Sequence, residues 1–260
     1  MHRPADEKNG VTAAGPSGAF VLPEWPARET IGALTTTCRG GHTPGPYGGF
    51  NLALHVGDDP EAVLANRRAL VSRLGLPRSP RWLHQVHGAR VIDAADAGAD
   101  PEADGAWTSV PGVACAVLSA DCLPIFLCDR AGTRVAALHC GWRGIAKGVI
   151  AAGIAALERP PDGLLAWLGP AIGAARYEVG EPVWDAFTAS SGRLAEAFSP
   201  SRPGHWHLDL YRAARLSLGT LGVRAVYGGG YCTHAEPDRF YSHRRDGVTG
   251  RMASLIWVRR

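Results

Sequence analysis

The sequence predicts a mixed α/β (α+β) fold, and three features carry that prediction. Three apolar runs of strand length, "GVACAVLSA", "LPIFLCD" and "RVAALHC", follow one another closely. Segments with helical spacing and cap signals separate the other apolar runs. The alternation is irregular and contains one clear hairpin, which favours mixed sheets flanked by helices over a regularly wound parallel sheet. The chain has 260 residues, 46% hydrophobic and 20% charged, an ordinary globular composition. No composition break or internal repeat divides the interior, so one domain is expected over 29–260, behind a disordered leader at 1–28.

The elements follow from local chemistry. The Gly- and Pro-rich segment 35–60 is expected to be an ordered loop or pair of turns. A helix then starts with Asp59 as N-cap and Pro60 at the first helical position. Its apolar spacing runs through Val63, Leu70 and Leu74 and stops at Gly75 and Pro77. "RWLHQVHGARVIDA" reads as a strand interrupted at Gly88, and "GIAKGVIAAGIAALE" (144–158) as one helix. "LLAWLGPAIG" is a strand entering a loop, "EPVWDAF" a helix, and "DLYRAARLSLGTLG" a helix capped at Asp209 and ended by Gly222. "AVYGGGYC" and "MASLIWV" close the chain as strands around the polar loop "FYSHRRDGVTGR".

Charge and composition exclude several classes. The net charge of +3 is too small for a nucleic-acid footprint. No apolar stretch approaches the roughly 18 residues of a membrane span, and the first twenty residues lack a signal peptide's apolar core. A cytoplasmic protein is expected, with its six cysteines reduced. No C-x-x-C pair occurs, which argues against a zinc ribbon or a thioredoxin-type motif.

The hairpin concentrates the chemistry. Asp129-Arg130-Ala131-Gly132 carries the type I turn signature. Pairing about its centre makes opposed residue numbers add to 261, which sets Cys122 across from His139, with Cβ atoms about 5 Å apart. A bulge near Pro124 would shift this by one residue. The pair serves either as two ligands of a soft metal or as a nucleophile with its base. Plain packing, a buried thiol beside a hydrogen-bonded histidine, is the third reading. "WLHQVHG" offers a third ligand, His84 or His87, and spacing does not choose between them. Three ligands and a water is the pattern of an open catalytic zinc site. Gly141 and Gly144 bracket Arg143 at a strand-to-helix junction that suits an anion. Trp142 is read as packing, and "SHRRDG" (242–247), taken alone, as a solvated turn.

Six ordered motifs resemble one family: "GGHTPGPYGGFNLALHVGDDPEAVLANRR", "WLHQVHG", "SADCLPIFLCD", "HCGWRG", "LGPAIGAARYEVG" and "FYSHRRDGVTGRMASLIWV". They are similar to the YfiH/PgeF-like family, whose members have been called laccase-domain or polyphenol oxidase proteins and purine nucleoside phosphorylases. The resemblance implies a YfiH-like (cysteine-hydrolase-like) single domain with zinc on His87, Cys122 and His139. It implies phosphorolysis of adenosine, inosine or methylthioadenosine, and deamination of adenosine. Zinc would lower the pKa of a water for attack at C6 of adenine. Arg143 with Arg244 or Arg245 would orient inorganic phosphate toward C1′, and Asn51 joins this substrate- and phosphate-binding set. Asp121, Glu178 and Asp246 are unranked candidates for proton transfer, each equally readable as a capping or salt-bridging carboxylate.

The chain departs from the family pattern at Ser119, Cys140 and Thr43, none of which removes a ligand. The H-x-E…P-C-x-x-C pattern of cytidine-type zinc deaminases is absent. Alternatives remain: a cysteine hydrolase acting on a cell-wall precursor, with Cys122 as free thiolate and His139 as base, or a copper (Cu2+) phenol oxidase. A non-enzymatic metal-binding protein is the last. A multicopper site needs many more clustered histidines than three.

Overall fold

The computed structural model describes residues 18–260; the expected leader lies outside the described residues over 1–17. Its remainder is structured in part. β1 (Phe20–Val21) pairs with β2 (Ile31–Thr36), so ordered chain begins ahead of residue 29. The Gly/Pro-rich segment follows with 3-10 turns at Gly45–Tyr47 and Leu54–Val56. In α1 (Pro60–Leu74) the Asp59 carboxylate accepts the Glu61 N–H, and Gly75 ends the helix at φ 58.

The expected strand over 81–94 forms only as β3 (Val91–Asp93), preceded by isolated bridges at Arg81 and His84. β4 (Gly105–Thr108), β5 (Ala114–Ser119), β6 (Leu123–Asp129) and β7 (Val135–Cys140) follow. Every residue of β5, β6 and β7 is buried, which is why all three read as unbroken apolar runs rather than as alternation.

The expected single helix over 144–158 is instead two, α2 (Trp142–Ala146) and α3 (Val149–Ala156). Gly148 at φ 89 turns the chain between them, a left-handed conformation that only glycine adopts cheaply. Next come β8 (Leu164–Leu168), β9 (Glu178–Gly180), α4 (Glu181–Ser190), β10 (Phe198–Pro200) and β11 (His205–Leu208). α5 (Leu210–Thr220) starts at its Asp209 cap, and β12 (Ala225–Gly228) follows. The polar loop holds the short α6 (His243–Asp246) before β13 (Met252–Val258).

The strands form a four-stranded sheet, β1-β2-β13-β5, a six-stranded sheet, β12-β8-β6-β7-β4-β3, and a small sheet, β10-β11-β9. Pairing is antiparallel except for β12 with β8 and β3 with β4. One core lies between the two large sheets, where Val117 and Ile256 meet Phe126, Val135 and Trp167. A second covers the other face of the six-stranded sheet, with Leu138 and Leu168 against Ile150, Ile154 and Ala214 of the helices. A third packs Leu34, Ala116 and Leu255 of the four-stranded sheet under Leu70 of α1. The result is one mixed α/β domain in four layers, helix, sheet, sheet, helices.

The hairpin register differs from the expected one. Leu123 pairs with Cys140 and Pro124 with His139, so opposed numbers add to 263. The 129–132 turn does form, with the Gly132 N–H on the Asp129 carbonyl at 3.0 Å. The Asp129 carboxylate also takes the Thr133 and Arg134 N–H groups at 2.7 and 3.1 Å, which lengthens the loop and moves the pairing by two residues. A shift of two preserves the face of every side chain, whereas a shift of one reverses it. Cys122 and His139 therefore become diagonal neighbours on one face, that of Phe126, Val135 and Ala137 toward the intersheet core.

Candidate metal centre

Three side chains converge at the end of this core. The ligand atoms of His87, Cys122 and His139 all lie within 4.8 Å of one another, and they form the one such group among the described residues that could hold a metal ion. Cys122 Sγ is 3.8 Å from His87 Nε2, and the His87 and His139 rings meet edge to face at 4.8 Å. His84, the other candidate in "WLHQVHG", is exposed and bridges to Glu102 away from this group.

A carboxylate that the sequence did not single out holds the arrangement. Asp104, fully buried, lies 2.8 Å from His139 Nδ1 through Oδ1. It also accepts three successive backbone N–H groups, from Val86 at 3.1 Å, His87 at 2.9 Å and Gly88 at 2.6 Å. These amides form a small anion cradle, and His87 adopts φ 57 within it. Left-handed backbone costs a non-glycine residue on the order of 1–2 kcal/mol, which the charge-assisted bonds to Asp104 offset. Burial works against the ionised Asp104, but the bonds from His139, Gly88 and Val86 outweigh it and hold the carboxyl down to about 2. The histidine Nδ1 is thereby committed to Asp104, and Nε2 is left for the centre.

Burial alone would raise the Cys122 thiol, but the charge and hydrogen bonding of His139, with a smaller part from His87, bring it below its ordinary value. Burial would lower His139, and Cys122 with Asp104 raises it instead. A thiolate and a cationic or metal-bound partner are thus mutually stabilised. Cys140, one residue on, points to the opposite face and into the core, where burial raises its thiol well above the ordinary range.

Gly141 explains the glycine after "HC". It stands across from Cys122 in the extended register, and a Cβ there would come 2.9 Å from Cys122 Sγ and 3.0 Å from His87 Cδ2. The preceding loop is equally constrained. Asp121 holds φ 90 while its carboxylate takes the Thr233 hydroxyl at 2.6 Å and the Arg244 N–H at 2.7 Å.

The other sequence candidates separate by how their polar groups are used. Arg143 is exposed, its guanidinium 4.3 Å over Trp142. Arg244 lies 5.0 Å over Tyr177 and donates one bond to the Glu178 carbonyl. Burial pushes the Tyr177 hydroxyl far up, and through Arg244, which lies over its ring and whose backbone N–H donates to Asp121, it adjoins the residue next to Cys122.

Arg245 has no such freedom. It donates to the carbonyls of Thr233, His234 and Phe240 and to both Asp246 oxygens, which uses all five of its N–H groups. Asn51 is likewise fully buried and spent on Ala53, Asp58 and Arg251. In this structure the polar groups of both are taken up by bonds within the protein. The remaining acid candidates are paired too, Glu178 with Arg202 and Ser201 and Asp246 with Arg245. Arg251 also went unnoticed in the sequence. Burial lowers it, while the charges of Cys122, Asp121 and Tyr47 raise it.

Comparison with known proteins bears on this geometry. Residues 32–259 match the sequence profile of the family described as multi-copper polyphenol oxidoreductase laccase. The chain is 51% identical over 241 residues to a Pseudomonas aeruginosa protein named purine nucleoside phosphorylase, covering 92% of this chain and 98% of that one. It is 43% identical to the Escherichia coli purine nucleoside phosphorylase YfiH, with the same coverage of both chains. A solved Neisseria meningitidis protein superposes with a TM-score of 0.91 at 48% identity, over 93% of this chain and all of that one. YlmD from Geobacillus stearothermophilus superposes with a TM-score of 0.86 at 33% identity, over 94% and 97%.

Proposed function

We propose that this chain, which belongs to the family described as multi-copper polyphenol oxidoreductase laccase, is a zinc-dependent purine nucleoside enzyme. The reading takes in phosphorolysis of adenosine, inosine or methylthioadenosine and deamination of adenosine. What carries it is the convergence of His87, Cys122 and His139 in a chain that matches proteins named purine nucleoside phosphorylase over nine-tenths of its length. One thiolate and two imidazoles, with a carboxylate behind one of them, suit zinc with an open coordination position. The copper oxidase reading is not favoured, because a multicopper cluster needs several donor groups and the described residues bring together one.

When bound, zinc would supply Lewis-acid polarisation and make a neighbouring water more acidic. The protein groups do the rest. Asp104 fixes the tautomer and direction of His139 and the backbone that carries His87. Among the described residues Arg143 makes no side-chain hydrogen bond and Arg244 donates one, to the Glu178 carbonyl, and these are the pair that would orient phosphate against the nucleoside C1′. Asp121 is spent on positioning the Arg244 backbone, so its contribution is to the placement of that clamp. All six cysteines are unpaired, as a cytoplasmic location would require, and no helix among the described residues is long and apolar enough to cross a membrane.

The test is metal analysis of the purified protein with chromatography of adenosine and inosine, with and without phosphate, for the wild type and Cys122→Ala. Stoichiometric zinc with free base or inosine formed, both lost in the variant, is expected. Cys122, His139 and Asp104 also line up as a nucleophile, a base and an orienting acid, which favours the cysteine hydrolase as a second reading. Rapid alkylation of Cys122 in protein without zinc would select that reading instead.

A further inference from the structure

A cavity of about 640 Å³ opens on the outer side of the four-stranded sheet, between α1 and the segments around 78–83 and 99–100. None of its lining residues is among His87, Cys122 and His139. Three arginines, Arg67, Arg78 and Arg81, line it together with one acidic residue, Asp100. Among the described residues none of these arginines takes part in an ion pair within 4 Å.

Two of the arginines are held in place rather than left loose. Arg67 donates Nε–H to the Leu52 carbonyl at 2.9 Å and lies flat on Trp82, 4.1 Å from the ring centre. Arg81 donates to the carbonyls of Ala94 and Gly98. Bonds to carbonyls position a guanidinium without neutralising it. Burial lowers Arg67 to about 10, only partly opposed by Asp100, which marks a cation short of compensating charge. His55, in the same wall, is pushed down by burial and by Arg251, Arg67 and His84, so it adds hydrogen-bonding capacity without adding charge.

We propose that this cavity is a second binding site, separate from the metal centre, for a small phosphate ester. Guanidinium forks match phosphate oxygens two at a time, and three of them leave a net positive site once Asp100 is counted. The volume lies in the range of small-molecule sites and well above what inorganic phosphate fills, and the Trp82 wall suits an organic body. The site also abuts the metal loops. Leu83 and Leu118 line it, and Gln85 ties the two segments by accepting the Leu118 N–H at 2.7 Å and donating to the Leu118 carbonyl at 2.9 Å.

The experiment is calorimetric titration of the purified full-length protein with adenosine monophosphate and with ribose 5-phosphate. Adenosine, ribose and inorganic phosphate serve as partial probes. At least one ester should saturate a single site in the range of about 0.01–1 mM, and the better ester identifies the body that fits. Arg78→Glu, which alters an exposed side chain with no hydrogen bond among the described residues, should weaken that binding at least about tenfold. Excess inosine and the Cys122→Ala substitution should leave it unchanged. No saturation by either ester up to about 10 mM, equal binding to Arg78→Glu, equal binding of inorganic phosphate, or displacement by inosine would each overturn the proposal.

Discussion

Adding one methyl group at Gly141 tests whether the centre depends on bare backbone. The alanine Cβ would sit 2.9 Å from Cys122 Sγ and 3.0 Å from His87 Cδ2. Carbon–sulfur and carbon–carbon contacts relax to about 3.5–4.0 Å, so the two side chains must separate from it by about 0.5–1 Å. Metal–ligand distances tolerate only about 0.2 Å. Overpacking of this kind costs about 1–3 kcal/mol, and because the strained atoms are the donors, the cost falls on metal affinity. That corresponds to roughly a 5- to 150-fold weaker dissociation constant. Zinc affinity by competition with a chromophoric chelator would measure it, with thermal melting of the metal-free protein alongside. Gly192→Ala, where a Cβ meets nothing within 4 Å, is the control and should change neither. Wild-type zinc affinity in Gly141→Ala would refute the placement of Cys122 and His87 around this residue.

Three further outcomes are expected. Asp104→Asn keeps only one acceptor oxygen where two are used, Oδ2 by the Val86 and Gly88 N–H groups and Oδ1 by His139 and the His87 N–H, so one set loses its acceptor and zinc affinity should fall about 10- to 100-fold by the same competition assay. Arg244→Ala should lower phosphate-dependent turnover with the melting temperature kept, whereas Arg245→Ala, which strips five framework bonds, should lower the melting temperature, by about 2–4 °C for each kcal/mol lost. Asp129 is held below the ordinary carboxylate value: burial would raise it, and the Thr133, Arg134 and Arg159 bonds outweigh that. Its stabilisation is therefore present above the unfolded-state value near 4 and lost as pH falls through the lower folded value. The melting-temperature gap between wild type and Asp129→Asn should accordingly be wide at pH 7 and narrow toward about pH 3.

What the sequence by itself determined is what depends on near neighbours. The caps Asp59, Gly75 and Asp209 sit where hydrogen-bonding and glycine chemistry put them, since each acts on backbone within one turn. The buried strands β5, β6, β7 and β13 were legible as apolar runs because both faces are covered. Cys122 and His139 were legible as same-face partners, and that survived a two-residue error in register because side chains alternate with period two.

The tertiary structure decided what depends on distant ones. Residues alone did not choose between His87 and His84; the choice follows from a turn that Asp104 imposes from beyond the next strand. Asp104 carried no spacing signal, because its partners are backbone amides and a histidine brought together only when β4 and β7 pair. Arg244 and Arg245 are adjacent in "SHRRDG", yet one reaches Tyr177 and the other is locked by carbonyls, a difference set by which way α6 faces. The charge of Cys122 acts on Arg251, which lies near the far end of the chain. For His87, Asp104 and Arg244 the deciding contact spans sequence separations over which local propensity carries no information.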